Sequence, residues 1–276
     1  MGLWDYAGKR VAIVGCASGM GEATARELVA LGAEVHGADI RPSPAPLASF
    51  RTIDLKDPAS IDAALDSIGG KLDGLFNCAG LPQPFPPIDV MKVNFIGTRY
   101  LTERAVGMIK PGGAIASIAS TAGFAYMQNL EPIKELLAIP DFASASQWCE
   151  ERLELVGDGY TFSKQVLIVW TMVMGARLIK QGVRINCICP GPTQTPMMSS
   201  FESHAGAAVI DVFTEPMGRR STPEEQARPL IFLNSDAASY INGHPLNVDG
   251  GCIGAVTTGE LDLRALMGAA MGAAST

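Results

Sequence analysis

Tyr160 and Lys164 are the two residues of this sequence best suited to proton chemistry. They begin a helix-forming run that continues to Gln181, and positions four apart lie on one face of a helix. A free tyrosine has a pKa of about 10, and an adjacent cation favours the phenolate and lowers that pKa. The spacing therefore indicates a general acid/base for an alcohol or a ketone. Without further context, the same spacing is also typical of a buried ring beside a surface lysine.

A glycine-rich segment near the N-terminus supplies part of that context. Residues 9–15 read KRVAIVG, a short strand-forming run, and a helix-forming stretch follows at residues 22–31. A strand, a glycine turn and a helix together present backbone N–H groups to a phosphate. We expect Gly15 to permit the tight turn, Gly19 to let a pyrophosphate approach, and Gly21 to let the helix pack closely on the strand. In a chain with 30 glycines, a purely structural turn is the alternative.

A carboxylate follows at the position where a dinucleotide's ribose would lie. The second predicted strand ends at Asp39, eighteen residues after the last glycine of the motif. An acid there accepts hydrogen bonds from the ribose hydroxyls and repels a 2′-phosphate, which favours NAD over NADP. Arg41 could counter that repulsion, although the uncharged Cys16 offers no phosphate clamp. Alternatively, Asp39 only caps the strand. Asp54, at the end of the third strand, could bind the adenine amino group.

The order of the predicted elements indicates the fold class. Short strands alternate with helices, as in a parallel, doubly wound sheet, and there is no repeat and no interdomain linker. We therefore predict one α/β domain over residues 1–276, a Rossmann fold with about seven strands and helices on both faces. The predicted strands are residues 9–15, 34–39, 51–55, 72–77, 114–120, 183–189 and 246–248, and the helices are residues 22–31, 58–68, 88–109, 159–181 and a capped helix from Thr222.

Three segments lie outside this alternation. Residues 124–158 are an insertion before the Tyr160 helix, with two short helices expected at residues 131–139 and 142–155. Residues 196–218 form a long, partly apolar loop with little sheet to cover. We expect this loop to wall a substrate pocket; the alternative is packing on the protein body or on a partner subunit. The tail from Thr257 is expected to be mobile.

Composition disfavours several classes of protein. Charged residues make up 18% of the chain, the net charge is −7, and no basic block occurs, so nucleic acid is not an expected partner. The apolar runs are short and the N-terminus does not resemble a signal peptide, so we expect a cytoplasmic protein that does not bind a membrane. The six cysteines and three histidines lack metal-ligand spacing. We therefore predict no metal site, no Ser-His-Asp hydrolase, and reduced, buried cysteines.

Taken together, these features resemble the short-chain dehydrogenase/reductase family over residues 9–251. The resemblance implies a Rossmann-fold oxidoreductase with NAD as its cofactor. The motifs that carry it are GCASGMG, Asp39, NCAG at residues 77–80, Asn94, IAS ending at Ser120, YTFSK, and NCICPGPTQT.

The resemblance implies a role for each candidate site residue. Tyr160 is the catalytic acid/base, and Lys164 lowers its pKa and holds the nicotinamide ribose. Ser120 hydrogen-bonds the substrate oxygen, and Asn94 anchors a water in the proton relay. Ile188 and Thr195 lie near the nicotinamide amide. The implied cofactor contacts are Gly15, Ser18, Gly19, Met20, Gly21, Asp39, Ile40, Asp54, Leu55, Asn77, Cys78, Ala79, Gly80, Tyr160, Lys164, Pro190, Gly191, Thr193 and Thr195, and the candidate substrate contacts are Ser120, Met197, Met198 and Phe201.

The sequence departs from the family pattern at two places. Cys78 stands where the family usually has an amide, giving NCAG in place of NNAG. Ser120 and Tyr160 are forty residues apart, whereas the usual connection is much shorter. This insertion, together with residues 72–75 and 216–220, resembles the branch containing bacterial 3α-hydroxysteroid dehydrogenase/carbonyl reductases and coniferyl alcohol dehydrogenases.

The branch implies a bulky, apolar ring alcohol or its ketone as substrate. An aromatic, coniferyl-type alcohol or a terpene alcohol is the alternative. A non-catalytic dinucleotide-binding sensor is a different class, but such a protein has no need of Tyr, Lys, Ser and Asn together. Isomerisation or dehydration with bound NAD is a third possibility. Family members usually associate through the two long helices, here residues 88–109 and 159–181. The insertion could block one of these surfaces, so a homodimer and a homotetramer both remain open.

Overall fold

A seven-stranded parallel sheet forms the centre of the protein. The computed structural model describes residues 4–273. The strands are β1 (Arg10–Val14), β2 (Glu34–Asp39), β3 (Ser49–Thr52), β4 (Leu72–Asn77), β5 (Ile109–Ile118), β6 (Arg184–Pro190) and β7 (Pro245–Val248). Their order across the sheet is β3-β2-β1-β4-β5-β6-β7, with parallel pairing throughout.

Helices cover both faces of this sheet. They are α1 (Gly19–Ala30), α2 (Pro58–Ile68), α3 (Pro87–Met91), α4 (Thr98–Ala105), α5 (Leu130–Ala138), α6 (Phe142–Glu150), α7 (Leu153–Val156), α8 (Tyr160–Leu178), α9 (Met198–Ala205), α10 (Ala207–Asp211), α11 (Pro223–Asn234), α12 (Cys252–Thr258) and α13 (Leu263–Ala273). Helices α1 and α11 pack on one face, and α2, α4 and α8 pack on the other. The predicted α/β Rossmann fold is confirmed.

The strand order reverses between β1 and β4. These two strands pair with each other, but the chain continues from β1 to β2 on one side and from β4 to β5 on the other side. In open α/β sheets the ligand crevice lies outside the carboxyl ends of the strands at such a switch point. Here Gly15 follows β1 and Cys78 follows β4, and both residues belong to predicted cofactor-binding segments.

The predicted helix over residues 88–109 is wrong as a single helix. The structure has α3, then a π-helix (Lys92–Gly97), α4, and a 3-10 turn (Val106–Met108). At the end of the π-helix, a Cβ atom on Gly97 would lie 2.0 Å from the Leu55 carbonyl oxygen. The helix therefore lies directly on the backbone of the neighbouring loop. A π-bulge of this kind is frequent at functional sites.

Two strand boundaries also differ from the prediction. β3 is Ser49–Thr52, not residues 51–55, because it pairs with β2 only as far as Asp39. Asp54 therefore follows the strand. β5 begins at Ile109, five residues before the predicted start, and its pairing with β4 is irregular near Leu72. It ends at Ile118, so Ser120 also follows its strand.

The insertion covers the outer side of α8. It folds into α5, α6 and α7, and its residues Ile133, Leu136 and Trp148 are buried. The Trp148 ring stacks on the Phe162 ring of α8, with 6.3 Å between the ring centroids. Residues 160–181 are long and apolar enough to cross a membrane by composition, but most of this helix is buried inside the fold. The sheet and the insertion together thus enclose the helix that carries Tyr160 and Lys164.

The tail expected to be mobile from Thr257 contains the end of α12 and a further helix, α13. Helix α13 packs against α10 and the following turn, Val212–Thr214. Residues 263, 266, 267 and 270 of the tail are all apolar, a spacing that places them on one face of a helix. The tail therefore lies against the predicted substrate loop. Residues 274–276 lie outside the described part of the chain.

Candidate active site

The glycine-rich turn brings three backbone segments close together. Gly15 has a φ of +90°, and a Cβ atom there would lie 2.2 Å from the Ala79 nitrogen. A Cβ atom on Gly21 would lie 1.8 Å from the Gly15 carbonyl oxygen. Only glycine fits either position, so β1, α1 and the end of β4 meet without side chains between them. The amino end of α1 faces the crevice, and these features fit a dinucleotide's pyrophosphate.

Gly19 and Thr195 face each other across this crevice. Gly19 has a φ of +59°, and a Cβ atom there would lie 3.3 Å from the Thr195 Cβ atom. The predicted pyrophosphate turn and the predicted nicotinamide segment are thus neighbours in space. Pro190 is the last residue of β6, and the rest of the second segment, from Gly191 to Gln194, follows that strand directly.

The Asp39 carboxylate is held by the backbone around it. One carboxylate oxygen accepts a hydrogen bond from the Ala17 nitrogen at 2.9 Å, and the other accepts from the Arg41 nitrogen at 3.1 Å. The carboxylate is therefore fixed against the glycine turn, and each oxygen keeps a free lone pair. The neighbouring Ile40 side chain is largely exposed. This arrangement fits a carboxylate that accepts hydrogen bonds from a ribose.

Asp54 and Asn77 make structural contacts. Asp54 accepts a hydrogen bond from the Lys56 nitrogen at 2.8 Å, in the turn that follows β3. The Asn77 amide donates to Thr102 at 3.0 Å and to Ser117 at 3.1 Å, joining the sheet to α4. Leu55 is buried and presents its carbonyl to the π-helix. Cofactor contacts by these residues stay predictions.

Cys78 lies at the edge of the active-site cavity. All six cysteines are free; five are buried, and Cys78 is half-buried. A Cβ atom on Gly21 would lie 2.9 Å from the Cys78 Cβ atom, so the cysteine packs beneath the start of α1. The family's usual amide is thus replaced by a small apolar group at this contact.

The four predicted catalytic residues converge at the carboxyl end of the sheet. Asn94 is 1% exposed and lies in the π-helix, where its amide donates to the Leu81 carbonyl at 3.0 Å and to the Ser163 hydroxyl at 3.2 Å. The Lys164 ammonium donates to the Ile118 carbonyl at 2.9 Å. A Cβ atom on Gly80 would lie 3.4 Å from the Asn94 oxygen and 3.9 Å from Lys164 Nζ. Gly80 therefore keeps the space between these two groups open.

Ser120 and Tyr160 are the half-buried members of this cluster. The Ser120 hydroxyl accepts a hydrogen bond from the Ala122 nitrogen at 3.1 Å, and Ser120 lines the same cavity as Tyr160. Lys164 Nζ lies 5.5 Å from the centroid of the Tyr160 ring, on the same face of α8. The predicted neighbourhood of Tyr160 and Lys164 is confirmed by this geometry.

The predicted lowering of the Tyr160 pKa is wrong for this structure. Burial raises the pKa of Tyr160, the neighbouring Ser120 hydroxyl opposes that rise, and the nearby Asp158 carboxylate adds to it. Burial also lowers the pKa of Lys164 to about 8. The ammonium is bound to a carbonyl and is itself desolvated, so it does not offset the burial of the phenol. At neutral pH Tyr160 therefore carries a proton that it can donate.

The apolar loop closes over this cluster. Phe201 of α9 packs edge-on against Tyr160, with 5.0 Å between the ring centroids. Met197 and Met198 join Phe201, Ser120 and Tyr160 in lining a cavity of about 70 Å³. The four predicted substrate contacts are thus brought to one cavity.

A larger cavity, of about 340 Å³, lies under the other end of the loop. It extends from Phe213 and Met217 to Asp249 and shares only Gly191 with the lining of the first cavity. Ile188, predicted near the nicotinamide amide, is fully buried in β6 and lines neither cavity.

Sequence reasoning missed one residue beside the candidate catalytic residue Tyr160. The Asp158 carboxylate accepts a hydrogen bond from the Tyr160 nitrogen at 2.8 Å and another from the Gln83 side chain. It therefore caps the amino end of α8 and ties that helix to the loop after β4. An aspartate two residues before a predicted helix start is a recognisable capping signal.

The parallel sheet, the glycine turn at its switch point and the Ser-Tyr-Lys cluster define a dinucleotide-dependent oxidoreductase, and the chain belongs to the short-chain dehydrogenase/reductase family. Residues 9–132 match the family model described as short chain dehydrogenase. Residues 146–252 match the model described as enoyl-(acyl carrier protein) reductase.

Individual relatives agree with the predicted branch. The chain is 34% identical to coniferyl-alcohol dehydrogenase of a Pseudomonas species, over 88% of this chain and 96% of that protein. It is also 34% identical to 3-alpha-hydroxysteroid dehydrogenase/carbonyl reductase of Comamonas testosteroni, over 87% of this chain and 95% of that protein. The crystal structure of a Pseudomonas 3-alpha-hydroxysteroid dehydrogenase complexed with NADH superposes with a TM-score of 0.77 at 29% identity, covering 90% of this chain and 98% of that one. The predicted family and branch are confirmed.

Proposed function

We propose that this oxidoreductase uses NAD to interconvert a hydroxyl and a carbonyl group on a bulky, apolar ring substrate. The observation that carries the proposal is the contact between the apolar loop and the catalytic tyrosine: Phe201 packs on Tyr160, and two methionines line the same cavity. Ring burial against such a wall contributes roughly 25 cal/mol per Å² of apolar surface. Flexible methionines adapt to several ring shapes. A hydroxysteroid, a coniferyl-type alcohol and a terpene alcohol all meet this description.

The preference for NAD rests on Asp39. Its carboxylate is held rigidly at the tip of β2, where a 2′-phosphate would bring like charges together. Arg41 is exposed and contributes only its backbone nitrogen to this contact. Similarity to a structure that binds NADH supports the same choice.

Each residue of the Asn94, Ser120, Tyr160 and Lys164 cluster has a separate role in the proposed reaction. The nicotinamide supplies the hydride acceptor or donor when it is bound. Tyr160 gives a proton to the substrate oxygen or takes one from it, and Ser120 holds that oxygen by a hydrogen bond. Lys164 binds the nicotinamide ribose, and Asn94 orders the backbone and water beside it. Phe201 and the two loop methionines present apolar surface beside these groups.

Substrate profiling with a Tyr160→Phe variant tests this proposal. The wild-type kcat/KM should be several tens of times higher for ring alcohols than for short-chain or sugar alcohols, because only the former bury apolar surface. Tyr160→Phe should lower kcat by roughly a thousandfold and leave NADH binding nearly unchanged, since it removes the proton donor and little of the cofactor surface. Tyr240→Phe, at a fully exposed tyrosine, is the matched control. A preference for small polar alcohols, or a Tyr160→Phe variant with half of the wild-type kcat, would contradict the proposal.

We further propose a cytoplasmic homo-oligomer that binds neither nucleic acid nor a membrane. Acidic composition supports the absence of nucleic acid, and burial of the apolar α8 supports the absence of a membrane span. The insertion covers α8, one of the two helices through which family members usually associate, and this favours a dimer over a tetramer. Light scattering during gel filtration measures which assembly forms.

A further inference from the structure

Arg220 lies just after the apolar loop and reaches back into it. Its Nη1 atom is 2.5 Å from a carboxylate oxygen of Glu202 on α9, and its Nε atom is 2.6 Å from a carboxylate oxygen of Asp211 on α10. The Arg220 side chain is only 18% exposed. One guanidinium therefore joins both helices of the loop.

The backbone beside Arg220 is fixed to the segment that follows β6. The Ser221 nitrogen donates to the Pro192 carbonyl at 3.0 Å, and the Gln194 nitrogen donates to the Ser221 carbonyl at 2.9 Å. The hydroxyls of Thr193 and Ser221 are also hydrogen-bonded, at 2.9 Å. Arg220 is thus anchored on the cofactor side of the crevice, while its side chain binds the substrate side.

Glu202 is the residue next to Phe201 on α9. Phe201 is the side chain that lies against the Tyr160 ring. We propose that Arg220 is a positioning residue that clasps α9 and α10 over the active site, and so places Phe201 for recognition of the ring substrate. This inference rests on the proposed function for its substrate and on the two ion pairs for its geometry.

The chemistry of the clasp requires an arginine. A guanidinium presents Nε and Nη donors in a fixed planar fork and can bind two carboxylates at once, whereas an ammonium is a single compact charge. Loss of the guanidinium also leaves Glu202 and Asp211 as unpaired like charges near each other, which repel. Removal of Arg220 should therefore both release the loop and push its two helices apart.

An Arg220→Gln variant, paired with Arg219→Gln, tests the clasp. Arg219 is the neighbouring arginine, but its guanidinium pairs with Glu225 of α11, outside the loop, at 2.6 Å. Each variant therefore removes one positive charge and one ion-paired arginine. The readouts are amide hydrogen exchange in residues 198–211 and steady-state kinetics with a ring alcohol and with isopropanol.

Arg220→Gln should speed exchange in residues 198–211 by roughly tenfold or more, which is the scale of one charge-assisted hydrogen bond. It should raise KM for the ring alcohol by a similar factor, with a smaller effect on kcat and none on KM for isopropanol. Adding Glu202→Gln and Asp211→Asn to Arg220→Gln should restore part of the protection, because the repulsion is removed. Arg219→Gln should leave exchange in residues 198–211 unchanged.

Unchanged exchange in Arg220→Gln would overturn the clasp. Equal KM effects on the ring alcohol and isopropanol would overturn its role in recognition of the ring. If the wild-type protein oxidises no ring alcohol, the proposed function fails by itself, and the exchange measurement still decides whether the clasp exists.

Discussion

Substitution of Gly21 by alanine tests whether close packing of α1 on β1 is required for cofactor binding. The added Cβ atom would lie 1.8 Å from the Gly15 carbonyl oxygen and 2.9 Å from the Cys78 Cβ atom. A Cβ atom essentially never lies closer than about 3 Å to a non-bonded heavy atom, so the helix must move away by at least about 1 Å. The nearest obstacle is backbone, which cannot rotate out of the way as a side chain could.

The expected cost of Gly21→Ala follows from that displacement. Overpacking in a well-packed interior typically costs 1–3 kcal/mol, and a clash with backbone places this variant near about 3 kcal/mol. The shift also moves the amino end of α1 away from the phosphate position, so NADH affinity should fall by roughly tenfold or more. Urea unfolding measures the first effect, and a fluorescence titration with NADH measures the second.

Gly254→Ala is the matched control. Gly254 lies inside α12 with nothing within 4 Å of an added Cβ atom, and its φ is not positive. Alanine there should stabilise the protein by about 0.4–1 kcal/mol and leave NADH binding alone. A Gly21→Ala variant with stability within about 0.5 kcal/mol of the wild type and with equal NADH affinity would show that close packing of α1 on β1 is not required.

Two further predictions concern charged residues of the site. Asp39→Ala should weaken NADH binding. It should also raise kcat/KM with NADPH relative to NADH by roughly tenfold or more in parallel assays, because the like charge opposite the 2′-phosphate is lost. An unchanged ratio would show that Asp39 does not select the cofactor. Burial lowers the pKa of Lys164 to about 8, whereas the pKa of a lysine in the unfolded chain is about 10.4. Between these two pH values the unfolded chain binds more protons than the folded protein, so the free energy of unfolding rises with pH. Between pH 8 and pH 10, the free energy of unfolding of the wild type, measured with urea, should therefore rise by about 2 kcal/mol relative to that of Lys164→Met. A constant difference between the two proteins would show that Lys164 is not desolvated.

Local patterns in the sequence predict most of the sheet and the catalytic cluster. The strand-glycine-helix order and the i, i+4 spacing of Tyr160 and Lys164 depend on residues close together in the chain, and the structure places both as predicted. The ends of β3 and β5 were mispredicted because pairing with a neighbouring strand decides them.

Features that depend on distant contacts could not be predicted in this way. The π-helix around Asn94 ends at Gly97, which lies close to the Leu55 carbonyl of a loop far away in the chain. The raised pKa of Tyr160 depends on burial by the loop and by the rest of the fold. The ion pairs of Arg220 join residues that no periodicity relates.

Because the insertion covers α8, the support of this helix does not depend on protein concentration. Stabilisation supplied by a second copy of a protein follows mass action and weakens as the protein concentration falls. The outer side of α8 is instead packed by α5 and α6 of the same chain, through side chains such as Ile133 and Trp148. This part of the support for Tyr160 and Lys164 is intramolecular and independent of concentration. The geometry of α8 should therefore persist at dilutions that would separate any partner subunit.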